Sequence, residues 1–336
     1  MLIKGGKHGD QEKGILFTVF HFNNLIVMNS GMAEAQTKDM NRLSLLTGGT
    51  GGVYYPLGGA LAQVISKYVP NTSSTAEVTA AAVDNIKLLK AGKGELALVI
   101  ADVANDAILG KGRFEKDGKI PLRTLAVLYG NLNHMVVLKD SGIKSVPELK
   151  GKKVSVGAPG SATEVKSSRI LEAFGVDPAK DIRRERLSVA ESAGALKDRK
   201  IDAFCWDGGL PTAAVMDLAA TPGISARILP QDKALPALIR QYGPVYFNAV
   251  IPKGTYAGME ADVPVIGVAT KLVCMESLDP TLAYAIVKAI LEHKSDLVAV
   301  HKTAEHLSLQ GAVTGSSTPF HPGALKYYAE KGIKVP

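Results

Sequence analysis

Three glycine-containing turns carry most of the chemistry this sequence offers. The first, Thr47-Gly48-Gly49-Thr50-Gly51-Gly52, lies between an apolar run and an amphipathic stretch, where bare backbone N–H groups and the positive end of a helix favour an anion. It lacks the Gly-Lys-Ser/Thr ending of a phosphate loop, no G-x-G-x-x-G register passes through it, and Asp84 comes too early to meet a ribose. The second turn, Ala158-Pro159-Gly160-Ser161-Ala162-Thr163-Glu164, sets Ser161 as N-cap with Glu164 three residues on, a capping box. The third, Cys205-Trp206-Asp207-Gly208-Gly209-Leu210-Pro211, ends a strand with the sole tryptophan and a carboxylate, where ligands of open α/β sheets sit. Each turn has a bland alternative: glycines packing under a helix, a capped helix, a core tryptophan. Their recurrence in two parts of the chain points to a ligand carboxylate gripped between two lobes.

Other chemistries find little support. The histidines (His8, His21, His134, His293, His301, His306, His321) form no HExxH, and His301 and His306 fall on different faces of a helix, so no metal and no cofactor is expected. There is no G-x-S-x-G elbow, and neither Cys205 nor Cys274 has a histidine nearby in sequence, which argues against an enzyme without excluding groups that converge from distant segments. Both cysteines sit in apolar runs that read as buried strands with free thiols. The net charge of +7 is interleaved with 32 acidic residues, not clustered as nucleic acid requires. The densest basic run, Arg183, Arg184 and Arg186, reads as a solvated loop or a small phosphate-binding patch.

The elements that must position these turns follow from the patterning. A chain of 336 residues, 46% hydrophobic and 21% charged, suits about two domains, each with its own core. From Arg42 onward short apolar runs alternate with amphipathic stretches, the mark of an α/β protein. The periodicity predicts a strand over Leu43 to Thr47, a helix with Val53, Leu57, Leu61, Val64, Ile65 and Tyr68 on one face, and a strand Leu96 to Ala101 ending at Asp102. Leu122 to Tyr129 and His134 to Leu138 read as two strands separated by the polar Gly130-Asn131-Leu132-Asn133, carrying the chain between lobes. Tyr246 to Ile251 and Val265 to Cys274 offer the return. Near the start, Gly14 to Met28 is too short and polar to span a bilayer, which takes about 20 apolar residues. Lysines before it and Ala33-Glu34-Ala35 after it give residues 1–35 the order of a signal peptide cleaved near Ala35, or else an extra strand or leader.

Taken in order, Thr47 to Gly59, Val83-Asp84-Asn85-Ile86, Pro159-Gly160-Ser161, Gly208-Gly209-Leu210-Pro211 and His321-Pro322-Gly323-Ala324-Leu325-Lys326-Tyr327-Tyr328 resemble the TAXI family. These are the solute-binding proteins of tripartite ATP-independent periplasmic (TRAP) transporters, and the likeness runs from Leu43 to the end. It implies an α/β type II periplasmic binding-protein fold: two lobes joined by crossing strands, with a ligand cleft between them. Residues 40–130 plus 255–336 are expected to form lobe I and residues 131–254 lobe II. The implied protein is a periplasmic monomer that captures a glutamate-like amino acid or dicarboxylate for the membrane subunits of a TRAP transporter.

Carried over by position, the implied contacts are Thr50, Gly51, Gly52, Tyr54 and Tyr55; Asn85; Asp102; Gly160, Ser161, Ala162 and Thr163; and Trp206, Asp207 and Gly208, with Tyr129 and His134 flanking the crossing. Asp102 has the alternative of capping its helix, Asn85 of bonding backbone, and His134 of a satisfied core histidine. Asp207 departs from the uncharged residue expected before the two glycines. It calls for a cation, either the ammonium group of an amino-acid ligand or a lysine or arginine of the protein. Two other functions stay open: an enzyme on the same fold with His134 as its reactive group, and a receptor that hands its ligand-bound state to a sensor.

Overall fold

The structure, a computed structural model, describes residues 40–335, so the signal segment and its cleavage near Ala35 lie outside the described residues. In chain order the elements are β1 (Asn41–Leu46), α1 (Tyr54–Tyr68), β2 (Thr72–Glu77), α2 (Ala82–Lys90), β3 (Leu96–Ile100), α3 (Ala101–Leu109) and β4 (Leu122–Leu138). Then come β5 (Lys153–Ser155), α4 (Ala162–Ala173), β6 (Arg183–Glu185), α5 (Val189–Lys197), β7 (Ala203–Gly208), α6 (Ala213–Ala220), β8 (Ala226–Ile228) and α7 (Leu235–Tyr242). β9 (Tyr246–Ile251), β10 (Val263–Met275), α8 (Pro280–Glu292), α9 (Lys294–Val300) and α10 (Pro322–Glu330) complete the described chain.

The strands form one sheet in the order β2-β1-β3-β10-β4-β7-β5-β6, with β8 added on β4 and β9 on β10. Two parallel groups, β2-β1-β3 and β7-β5-β6, are joined by the long antiparallel strands β4 and β10. β4 pairs with β10 over Leu122 to Leu132, then with β7 over Leu132 to Val137. β10 pairs with β9 over its first half and with β3 over its second. Two α/β lobes result, crossed by β4 and β10. Buried faces such as Leu96 to Ile100, an unbroken apolar run, follow from helices covering both sides of a parallel sheet.

Three expectations need correction. Gly130-Asn131-Leu132-Asn133 is not a break: all four pair in register within β4, opposite Ala269, Val268, Gly267 and Asp207. Polarity there marks the place where the strand leaves the core and lines the space between lobes. Trp206 lies in β7 as read, but the strand runs on through Asp207 and Gly208, which were expected in the turn after it. The arginine run is exposed, as read, but is not all loop: Arg183 and Arg184 lie in the short strand β6 with Arg186 just beyond it, and Arg184 and Arg186 approach the buried Glu164 of α4 to 2.7 and 2.8 Å.

The carboxyl-terminal motif is architectural. His321 caps α10 through its Nδ1, which accepts from the Gly323 N–H at 3.2 Å, and a Cβ on Gly323 would strike the Pro280 carbonyl of α8. The Tyr328 hydroxyl donates to the Leu125 carbonyl at 2.9 Å, fastening α10 to β4.

Candidate functional site

A cavity of about 250 Å³ lies between the lobes, at the carboxyl ends of β1, β3 and β7 and beside the turn that follows β5. The lobes touch on either side of it. The Asp84 N–H donates to the Gly160 carbonyl at 3.2 Å, and the Ala214 N–H to the Gly51 carbonyl at 3.4 Å. A Cβ on Gly51 would lie 3.0 Å from the Ala190 Cβ, and one on Gly52 would lie 2.7 Å from Trp206 Cη2. Only glycine lets the first turn approach this closely. The arrangement is closed.

Three helices begin at the cavity. The Gly48 to Gly52 turn and Tyr54 bring the start of α1, Ser161 to Thr163 the start of α4, and Ser188 to Ala190 the start of α5. First-turn N–H groups have no intrahelical acceptor, so these turns offer donors at three positive helix ends. Ser161 Oγ accepts from the Glu164 N–H at 3.1 Å and donates to the Ala158 carbonyl at 2.7 Å. Its hydroxyl is committed to the turn, leaving the Ala162 and Thr163 N–H groups as the donors. Ser188 Oγ likewise accepts from the Glu191 N–H, at 3.3 Å, in a full capping box for α5.

The floor holds a buried pair of opposite charges, with the Asp207 side chain only 2% exposed. Among the described residues Asp207 is the one charged residue on the lining, and no lysine, arginine or histidine lines the cavity. Behind it Lys166, fully buried, places Nζ 2.7 Å from Asp207 Oδ1 and 3.3 Å from the Asn131 carbonyl. The contact is close but poorly directed, so both Asp207 oxygens and Asn131 Oδ1 lack a well-aligned donor. Burial pushes the Asp207 carboxyl above its usual range, and the Lys166 charge opposes that shift. Trp206 forms a wall, held by its Nε1–H donating to Thr212 Oγ1 at 2.9 Å.

The structure thus brings Thr50, Gly51, Gly52, Tyr54, Ser161, Ala162, Thr163, Trp206 and Asp207 together on one surface. The other predicted residues stand apart from it. Tyr55 points outward from α1 and is exposed. Asn85 is fully buried, its Nδ2 donating to the Leu46, Thr47 and Leu98 carbonyls, so it ties β1 to β3. Asp102 accepts from the Tyr246 hydroxyl at 2.7 Å and from the Val103 N–H at 2.8 Å. Tyr129 is buried against Gly209 at the crossing. Gly160 meets the other lobe through its carbonyl and adopts φ +80°, a conformation that requires glycine whether or not a ligand is near. Gly208 backs the Trp206 ring.

His134 is buried, with Nδ1 3.0 Å from the Leu132 carbonyl and Nε2 2.9 Å from the Tyr256 hydroxyl, which also accepts from the Thr212 N–H. Hydrogen bonding assigns the proton to Nδ1 and makes Nε2 the acceptor. Burial pushes its pKa down to about 4. An unfolded histidine protonates near pH 6.5, so between pH 6.5 and about 4 the unfolded chain holds the extra proton and folding stability falls as pH falls. The full loss, reached below pH 4, is about 3 kcal/mol at 1.36 kcal/mol per unit. Urea unfolding of wild type and His134→Gln at pH 7 and pH 4.5 measures it: the variant should lose less stability on acidification, and equal losses would mean that His134 titrates normally.

Two ionic contacts join the lobes beside the cavity. Arg113, following α3, reaches Glu164 of α4 at 3.1 Å, and Arg169 of α4 pairs with Asp106 and Asp102 of α3. Among lining residues not foreseen are Val78 to Ala81, Asn131 and Leu187 to Ala190. Ser188-Val189-Ala190-Glu191 spells a capping box and could have been found. Val78 to Ala81 carries no such signal.

These features define a two-lobed α/β protein of the type II binding-protein fold, closed around a cavity between the lobes. Residues 45–332 match the profile of the NMT1-like family, and the chain belongs to that family. Among solved structures it is similar to a protein of Bordetella bronchiseptica RB50, with 17% identity, 86% of this chain and 88% of that one covered, and a TM-score of 0.50. It is also similar to the periplasmic aliphatic sulphonate binding protein SsuA of Escherichia coli, at 15% identity, 86% and 83% coverage and TM-score 0.46. The alkanesulfonate-binding protein SsuA of Xanthomonas axonopodis pv. citri, bound to MOPS, matches at 16% identity, 87% and 84% coverage and TM-score 0.46.

Proposed function

We propose that this chain is a periplasmic solute-binding protein that captures a small carboxylate between its lobes and presents it to the membrane subunits of a TRAP transporter. The observation that carries the reading is the cavity itself: three helix starts converge on an enclosed space whose lining, among the described residues, has no cationic side chain. Backbone N–H groups and helix dipoles hold an anion without a fixed counter-charge. The motif order that resembles the TAXI family supports the delivery partner. An enzyme needs a reactive group at the ligand. His134 is committed to Tyr256 and Leu132 away from the cavity, and burial pushes the Cys205 thiol up to about 12.

A thermal-shift and calorimetry screen of carboxylates and amino acids tests this. A ligand at 100 times its dissociation constant adds about 2.7 kcal/mol, raising the midpoint by roughly 5–10 °C, and should be recovered unchanged. Ser161→Ala should weaken binding by no more than about 0.5–1.5 kcal/mol, since the backbone makes the contact. No shift with any carboxylate would end the reading. Loss of all binding in Ser161→Ala would place the anion on the hydroxyl instead.

A further inference from the structure

We infer that Arg113, Arg184 and Arg186 bind a free, doubly charged oxyanion of the phosphate or sulfate type across the seam between the lobes. This site is separate from the cavity and stands whether or not the carboxylate reading does.

The first ground is a surplus of charge. Arg113 Nη2 lies 3.1 Å from Glu164 Oε2, while Arg184 Nη2 and Arg186 Nε lie 2.7 and 2.8 Å from Oε1. Among the described residues none of the three pairs with any other carboxylate. Arginine keeps its proton in proteins, and Glu164 offsets one charge at most, so two positive charges are left uncompensated. Like charges held this close repel, and a second anion relieves them.

The second ground is access. Glu164 is sealed, its side chain 1% exposed, whereas those of Arg113, Arg184 and Arg186 are 48%, 29% and 44% exposed. The carboxylate is held in place from behind by the Gly160 N–H, which donates to Oε2 at 3.4 Å. An anion arriving from solvent therefore meets guanidinium groups with the carboxylate screened beneath them. Each guanidinium presents a rigid fork of N–H donors that matches the geometry of phosphate. Among the described residues the one well-aligned hydrogen bond these three forks make is from Arg184 Nη2 to Glu164.

The third ground is position. Arg113 lies in the turn after α3, and the other two lie on and just beyond β6, so the donors come from both lobes. Thr163 and Leu187, the chain neighbours of Glu164 and Arg186, line the cavity, and none of the three arginines does. An anion held here ties the lobes together beside the ligand without entering the ligand's space. Recessed in a seam, these side chains suit a free anion better than a headgroup fixed in a flat bilayer.

Isothermal titration of the full chain with sodium phosphate at pH 8, at a low ionic strength held constant with sodium chloride, tests the site. Phosphate should bind once per chain, and sulfate comparably. Arg113→Gln and Arg186→Gln should each weaken phosphate about tenfold, the value of one hydrogen bond between charged groups. Glu164→Gln raises the surplus to three charges and should tighten binding several-fold. Phosphatidylglycerol vesicles should not retain the protein. No heat above the chloride background, or unchanged affinity in both arginine variants, would overturn the site, the latter by placing phosphate elsewhere. Weakening in Arg186→Gln alone would overturn the bridge between lobes, and weaker binding in Glu164→Gln would overturn the charge argument. Vesicle retention that the arginine variants abolish would overturn the free anion in favour of a lipid headgroup. Because phosphate is titrated alone, failure of every carboxylate to bind would end the carboxylate reading and leave this result intact.

Discussion

Replacing Asp207 with alanine should lower the unfolding midpoint by about 10 °C. Lys166 and Asp207 form an ion pair at 2.7 Å with side chains 0% and 2% exposed. Removing one member of a buried pair leaves the other charge unmatched, at a cost of about 3–5 kcal/mol, and each kcal/mol moves the midpoint of a protein this large by about 2–4 °C. Lys166→Met should do similar damage. The double variant Lys166→Met/Asp207→Leu should recover most of the loss, because it removes both desolvated charges together. Chemical denaturation of the four proteins gives the coupling directly. If Asp207→Ala is as stable as wild type, the pair does not hold in solution, and Asp207 belongs wholly to the ligand.

That pairing also explains what was legible in the sequence. A buried carboxylate beside two glycines plainly demanded a cation, but Lys166 sits mid-helix among Val165, Ser167 and Ser168, where a lysine ordinarily faces water. Its burial depends on β4 and β7 closing over α4, contacts between residues 35 and 41 positions apart. The local signals behaved differently. The glycine turn before α1 and the Ser161 cap of α4 are encoded within a few residues, and both stand at the cavity. Asn131 was hidden for the opposite reason: polar residues inside a strand look like a loop until the partner strands are known. Asn85, in the first turns of α2, and Asp102, just after β3, are polar residues at the starts of helices, as ligand contacts often are, yet they serve the framework. Asn85 satisfies carbonyls of β1 and β3, and Asp102 joins the ionic contact of α3 with α4.

The interlobe contacts divide the work of closure. Arg169 with Asp102, Asp106 and Tyr246 is mostly buried near the crossing strands, whereas Arg113 reaches Glu164 from a half-exposed position. Opening that begins at the cleft mouth would break the Arg113 contact at small cost, because partly solvated pairs contribute little. Closure is then governed chiefly by the ligand and by the fit of the two glycine-lined surfaces.

Gly52→Ala tests that fit, and should weaken ligand binding by about 5- to 150-fold while leaving the folded protein as stable as before. A Cβ at position 52 would sit 2.7 Å from Trp206 Cη2 and 3.0 Å from Cζ2. The indole cannot swing aside freely, because its Nε1–H is tied to Thr212 and Gly208 lies against the ring. Gly52 has no positive φ, so alanine meets no backbone strain there. Overpacking of this kind costs about 1–3 kcal/mol, which corresponds to the stated loss of affinity. The clash lies between the lobes, Gly52 beyond β1 and Trp206 on β7, so parting them relieves it and the penalty falls on closure alone. Trp206 is the only tryptophan in the chain, and its fluorescence should change as ligand draws the lobes together. In Gly52→Ala that change should need correspondingly more ligand, with the thermal midpoint of the ligand-free protein unaltered. A variant that loses as much folding stability as binding free energy would show that Gly52 and Trp206 stay in contact when the lobes open, and closure would then have to take place elsewhere in the molecule.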